Sequence, residues 1–249
     1  MNETPRPPAL VGISHGTSSA AGRAAVRGLH DAVAAAVGTR HPDAPPSVRL
    51  GHVDVEQPDV PATLASLEPG EPAVVVPLLL SAGYHVHVDL AEAVDASASD
   101  RPVTLAGALG PDDRLARVLV RRLAEAGLRD TDRIVLAVAG SSDRRAVDDC
   151  HDMAGRLAAA SGREVSIGFL SAAEPRLPDA IAAARTGAGP GPRVVVANYL
   201  LAPGYFDDLA QAAGADVTAR PLLVAEEPPP RELVDLVLDR YAAASARLR

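Results

Sequence analysis

Val11-Gly12-Ile13-Ser14-His15-Gly16-Thr17 and Val135-Leu136-Ala137-Val138-Ala139-Gly140-Ser141 are two versions of one pattern. Each is an apolar run of the kind a buried parallel strand requires, closed by a glycine and a hydroxyl residue that suit a tight turn into a helix. A second pair recurs further along, Pro77-Leu78-Leu79-Leu80-Ser81-Ala82-Gly83-Tyr84-His85 and Asn198-Tyr199-Leu200-Leu201-Ala202-Pro203-Gly204-Tyr205-Phe206. Between them, Glu56-Gln57-Pro58-Asp59-Val60-Pro61 corresponds to Ala173-Glu174-Pro175-Arg176-Leu177-Pro178. The chain is therefore a duplication, and the second copy has Ala139 for His15, Phe206 for His85 and Ala173 for Glu56. A scaffold repeated without these side chains points to one functional site, in the first half.

Outward from these motifs, strand-like runs near residues 8–13, 48–55, 73–80 and 102–107 alternate with helical stretches at 19–37, 58–67, 86–98 and 112–127. The series restarts with strands near 133–139, 164–170, 193–200 and 217–223, helices at 142–161, 174–186 and 204–213, and a last helix over 230–247. This alternation predicts an α/β fold of two similar lobes, each a parallel four-stranded sheet flanked by helices. The break at Gly127–Asp132 divides the chain into a first lobe, 1–130, and a second, 131–249, that includes the terminal helix. Ligands of parallel sheets bind beyond the carboxyl ends of the strands. His15, Glu56 and the Gly83–His85 turn follow the first three strands and so belong on one rim, which Ser141, Ser142, Arg144 and Arg145 of the second lobe would face.

Composition narrows the function. A net charge of −8 and only two Phe, four Tyr and no Trp give nucleic acid neither a basic stripe nor stacking platforms. No apolar run approaches the roughly 20 residues of a membrane span, and the start, Met1-Asn2-Glu3-Thr4-Pro5, has no apolar signal core. A cytoplasmic protein without a membrane partner is expected. The one cysteine, Cys150, reads as a structural thiol in a helix, which excludes an intramolecular disulfide. Gly-rich phosphate loops, Gly-x-Ser-x-Gly elbows and Cys-x-x-Cys pairs are all missing.

Taken locally, Ser14-His15-Gly16-Thr17-Ser18 is equally a loop histidine beside a helix cap, and Glu56 a helix-start glutamate favoured by the macrodipole. Their loss in the second copy and their common rim argue for a site. Imidazoles bind divalent cobalt, iron, nickel or zinc and accept protons near neutrality. His87 reads as exposed, and His30, His41 and His52 as surface or satisfied structural residues, although His52 lies near Glu56.

The Ser14-His15-Gly16-Thr17 strand end, the Glu56-Gln57-Pro58 helix start, the Pro77–Asp89 segment and Leu109-Gly110-Pro111-Asp112-Asp113-Arg114-Leu115 together resemble the sirohydrochlorin chelatases, over essentially the whole chain. The resemblance implies a bilobal chelatase fold with two flavodoxin-like lobes facing a central cleft. It implies ATP-independent insertion of Co2+ or Fe2+, with Ni2+ also acceptable to such ligands, into sirohydrochlorin in cobalamin or siroheme biosynthesis, without an organic cofactor. It carries metal binding and proton acceptance onto His15 and His85, with Glu56 as third member; Thr17 stands where a serine is usual. Thr17 and Ser18 would contact the substrate, and Arg144 and Arg145, with Arg23 and Arg176 behind them, would meet its carboxylates. A monomer is expected, because the duplication puts both cleft walls in one chain. The alternatives are a metal or tetrapyrrole delivery protein without insertion activity, and a metal-dependent hydrolase.

Overall fold

The computed structural model describes residues 7–81, 90–95, 100–186 and 191–248. Strands β1 (Ala9–Ser14), β2 (Val48–His52), β3 (Ala73–Pro77) and β4 (Val103–Leu105) form a sheet in the order β2-β1-β3-β4. Strands β5 (Arg133–Val138), β6 (Val165–Phe169), β7 (Val194–Tyr199) and β8 (Val217–Thr218) repeat it as β6-β5-β7-β8. Every pairing is parallel. The helices are α1 (Ala20–Arg40), α2 (Val60–Ala65), α3 (Asp113–Glu125), α4 (Arg144–Ser161), α5 (Leu177–Ala184), α6 (Tyr205–Gln211) and α7 (Arg231–Ser245), and residues 90–95 are also helical. Several strands stop before their apolar runs do. Leu78 and Leu222–Leu223 are buried in rim loops, where packing asks for apolar side chains without asking for a ladder.

The two-residue alternation of a strand sorts side chains between faces. Ala9, Val11 and Ile13 of β1 join Ala73 and Val75 of β3, Val60 and Leu64 of α2, and Leu90 in an outer core. Val135, Ala137, Val194, Val196, Leu177 and Ile181 build the equivalent core on the second lobe. The opposite faces of both sheets meet in one central core, which takes Leu10, Val74 and Val76 from the first and Leu136, Val195 and Ala197 from the second. The molecule is thus two outer layers around a shared middle.

Two helices cross over in that middle. Chain order groups α7 with the second lobe, yet it packs on β3, β4 and α1 of the first, while α3 packs on β7 and α4 of the second. An amphipathic helix demands an apolar partner but does not specify which lobe supplies it. Polar contacts fix the exchange: Tyr241 O–H donates to the Pro8 carbonyl at 2.6 Å, and Arg240 Nε to the Ala108 carbonyl at 2.8 Å. On the other side, the buried Arg122 of α3 bonds Glu227 Oε2 at 2.9 Å and the Leu222 carbonyl at 3.2 Å. Near the rim, Tyr199 O–H of β7 donates to the Leu80 carbonyl at 3.1 Å. The Cys150 thiol is buried in the central core, and desolvation followed by the Asp149 charge pushes its pKa up to about 11, as expected of a structural thiol.

Candidate functional site

The site begins where β1 ends. After Ser14 the chain turns sharply at Gly16, whose φ is +93°, a conformation that side-chain-bearing residues rarely adopt. Space forbids a side chain as well, because a Cβ there would stand 1.9 Å from the Asp54 carbonyl oxygen. The loop after β2 is laid directly against this turn. Val53 N–H donates to the Ser14 carbonyl and Asp54 N–H to the His15 carbonyl, both at 2.9 Å. His15 is left exposed on the rim.

Glu56 closes the arrangement. Its side chain is 14% exposed, and Oε1 accepts the Thr17 N–H at 2.8 Å, so its carboxylate is fixed two residues from His15. Beneath it lies His52, paired in register with Ser14. The His52 Nδ1 is 2.8 Å from Ser14 Oγ and 3.8 Å from Glu56 Oε1. Burial lowers the His52 pKa; Glu56 partly opposes this and Arg27 adds to it. The His52 imidazole thus packs beside a carboxylate that in turn holds the His15 loop.

The second lobe shows that none of these side chains is required by the backbone. Leu170 N–H bonds the Val138 carbonyl and Ser171 N–H the Ala139 carbonyl, again at 2.9 Å. Gly140 has φ +90°, and its Cβ would stand 1.9 Å from the Ser171 carbonyl oxygen. The Gln57–Pro58 and Glu174–Pro175 bonds are both cis, and Val55 and Ala172 both have positive φ. In this copied frame Ser14, His15, His52 and Glu56 become Val138, Ala139, Phe169 and Ala173. Four polar residues were exchanged for four apolar ones while the turn was kept.

The other sequence candidates separate. Thr17 and Ser18 lie in the turn, with Ser18 exposed, and Arg23 Nη1 is committed to the turn's own Thr17 and Ser18 carbonyls at 3.3 and 3.0 Å. Arg144 and Arg145 are exposed on the first turn of α4, beyond the end of β5. The part of the second lobe that reaches the Thr17 turn is different: Cβ atoms at Gly204 and Gly22 would lie 3.1 Å from Thr17 Oγ1 and 2.3 Å from the Pro203 carbonyl oxygen. His85 and His87, with Gly83, Tyr84 and Asp89, lie outside the described residues. Among the described residues no three His, Cys, Asp or Glu side chains converge to hold a metal. His15 and Glu56 supply an imidazole and a carboxylate, donors suited to a first-row divalent metal and to accepting protons.

The CbiX family pattern matches residues 9–126 and 133–226, nearly the whole of both lobes. The chain belongs to the CbiX family. Its fold is similar to SirB from Bacillus subtilis with Fe3+, at TM-score 0.74, 19% identity and 96% coverage of each chain. It is similar also to SirB from Bacillus subtilis subspecies spizizenii, a sirohydrochlorin chelatase solved in complex with cobalt, at TM-score 0.70 and 16% identity, covering 96% of this chain and 95% of that one. CbiX described as the terminal enzyme for siroheme biosynthesis in denitrifying bacteria follows at TM-score 0.61 and 18% identity, with 93% and 98% covered. No curated protein sequence matches the chain. In this CbiX-family chain His52, which the sequence reads as a surface or satisfied structural residue, is a buried one, and only the β1–β2 register puts it on Ser14. The signal available was its counterpart, Phe169, an apolar residue where the first copy has an imidazole.

Proposed function

We propose that the chain inserts Co2+ or Fe2+ into sirohydrochlorin without ATP or an organic cofactor, acting as a cytoplasmic monomer. The observation that supports this most directly is the polar rim of Ser14, His15, His52 and Glu56, present in one lobe of a CbiX-family scaffold and replaced by apolar residues in the other. Insertion exchanges two pyrrole N–H protons for a divalent metal. It needs a partly desolvated ion at one face of the ring, a base for the protons, and cations for the carboxylates at the ring's edge.

His15, exposed at the turn, presents the metal to the macrocycle, with His85 as its partner. Glu56, oriented by Thr17 N–H and packed beside His52, accepts the protons or shares the metal. Thr17 and Ser18 lie against the substrate, and Arg144 and Arg145 draw in its carboxylates, a local attraction needed in a chain of net charge −8. Absorption spectra of sirohydrochlorin with Co2+ or Fe2+ and a catalytic amount of protein test the reading. Conversion of many equivalents per chain is expected. Stoichiometric uptake without turnover would make the chain a delivery protein instead.

A further inference from the structure

Among the described residues the exposed large apolar side chains are Val55, Tyr205 and Phe206. All three stand on the rims. Val55 adjoins Glu56 on the first lobe, while Tyr205 and Phe206, 71% and 37% exposed, open α6 on the second. The two rings pack edge to face, with centroids 5.7 Å apart and planes at 61°. They border a cavity of about 470 Å³ whose floor and walls include Phe169, Leu170, Leu177 and Arg176.

This cavity is the second lobe's version of the rim around Glu56. Phe169 stands for His52, Ser171 for Asp54, Arg176 for Asp59 and Phe206 for His85. The metal-binding and acidic side chains have been lost, but the concave shape remains, with aromatic faces and a cation added. The chain that leads into it also approaches the candidate site, since Gly204, which immediately precedes Tyr205, lies against Thr17.

We infer that Tyr205 and Phe206 form an aromatic platform that binds the tetrapyrrole itself, with Arg176, whose Nη2 donates to the Leu170 carbonyl at 2.8 Å, receiving a carboxylate at the ring's edge through its remaining N–H groups; this rests on the function proposed above. With the two ring planes at 61°, a flat, conjugated and polyanionic macrocycle can stack on the face of one ring and meet the edge of the other, beside a guanidinium. The division of labour follows from the duplication: one rim handles metal and protons, and the other holds the ring. The platform gives the site ring affinity that its metal ligands do not provide.

The test is a metal-free titration of sirohydrochlorin into the full chain, followed by absorption, for the wild type and for the double variant Tyr205→Ala with Phe206→Ala. Both side chains are exposed, so the variant should keep its circular dichroism and melting temperature. Its sirohydrochlorin dissociation constant should rise about tenfold or more, with Co2+ affinity measured without sirohydrochlorin unchanged. Equal sirohydrochlorin affinity in a binding-competent wild type and the variant overturns the platform alone. A change confined to oligomeric state, seen by light scattering, also overturns it and gives the patch to a second copy of the chain. If the wild type binds no sirohydrochlorin, the proposed function falls, and the platform with it.

Discussion

At the scale of single residues, the second lobe serves as an internal control for the first. Ala139 occupies the place of His15 on an equivalent turn, so His15→Ala should move the melting temperature by no more than about 2 °C. Metal insertion should fall by about 100-fold or more if the imidazole delivers the metal, as stopped-flow absorbance of the sirohydrochlorin bands would read. The buried pair beneath Glu56 allows a sharper test. His52→Phe strands the Ser14 hydroxyl and should cost about 1–3 kcal/mol in urea unfolding, whereas adding Ser14→Val recreates Val138–Phe169 and should recover most of it. Both variants should lose activity, because Glu56 no longer has His52 below it. The pH dependence follows from the lowered pKa of His52. Unfolded His52 binds its proton near pH 6.5 and the folded residue only at lower pH, so stability should fall as pH drops below about 6.5. Unfolding at pH 7.5 and 5.5 should show that component in the wild type and its loss in the double variant. His15 and Glu56 drew attention from sequence because strand ends in a parallel sheet are where ligands bind. His52 did not, since its partner lies 38 residues away and is met only through strand register.

At the scale of elements, the same turn is built twice but does different work. Gly16 and Gly140 share a positive φ and the same approach to a carbonyl oxygen, on Asp54 and Ser171 respectively. Alanine at either must push the neighbouring loop away, so each substitution should destabilise the chain by about 2 kcal/mol or more in urea titrations. Only Gly16→Ala moves the segment that carries Glu56, so Co2+ affinity by calorimetry should drop for this variant and hold for Gly140→Ala. Equal losses of Co2+ affinity would mean that the second turn also bears on the metal site. The elements were legible because continuous apolar runs and turn residues are local signals. Their ends were less so: β3 stops at Pro77 although its apolar run continues, because Leu78 is buried in the loop that follows, and β2 stops at His52, where the chain leaves the ladder for the exposed turn of Asp54 and Val55.

At the scale of the molecule, the exchange of α3 and α7 joins the lobes into one cooperative body. The central core draws side chains from both sheets, and each sheet is covered in part by a helix from the other half of the chain. Scanning calorimetry should therefore give a single transition whose calorimetric and van't Hoff enthalpies agree. A fragment of residues 1–130 lacks α7 and offers α3 no seat, so it should show little ordered structure by circular dichroism, despite containing every strand of its sheet. The duplication and the two parallel four-stranded sheets could be read from sequence pattern, but the order of strands within them is a finding of the structure. The exchange could not be read either, because α7 displays the same amphipathic face whichever sheet it covers.

The exchange also sets an order of events during synthesis. Synthesis from the N-terminal side releases β1 to β4 before the second lobe, but the face of β3 and β4 that α7 covers stays open until residues 231–245 have emerged. Tyr241 then ties this last helix to Pro8, beside the first strand. The lobe bearing His15 and Glu56 is translated before the other lobe but completed after it, so a nascent chain stalled within the second lobe carries the rim residues on an incompletely packed sheet.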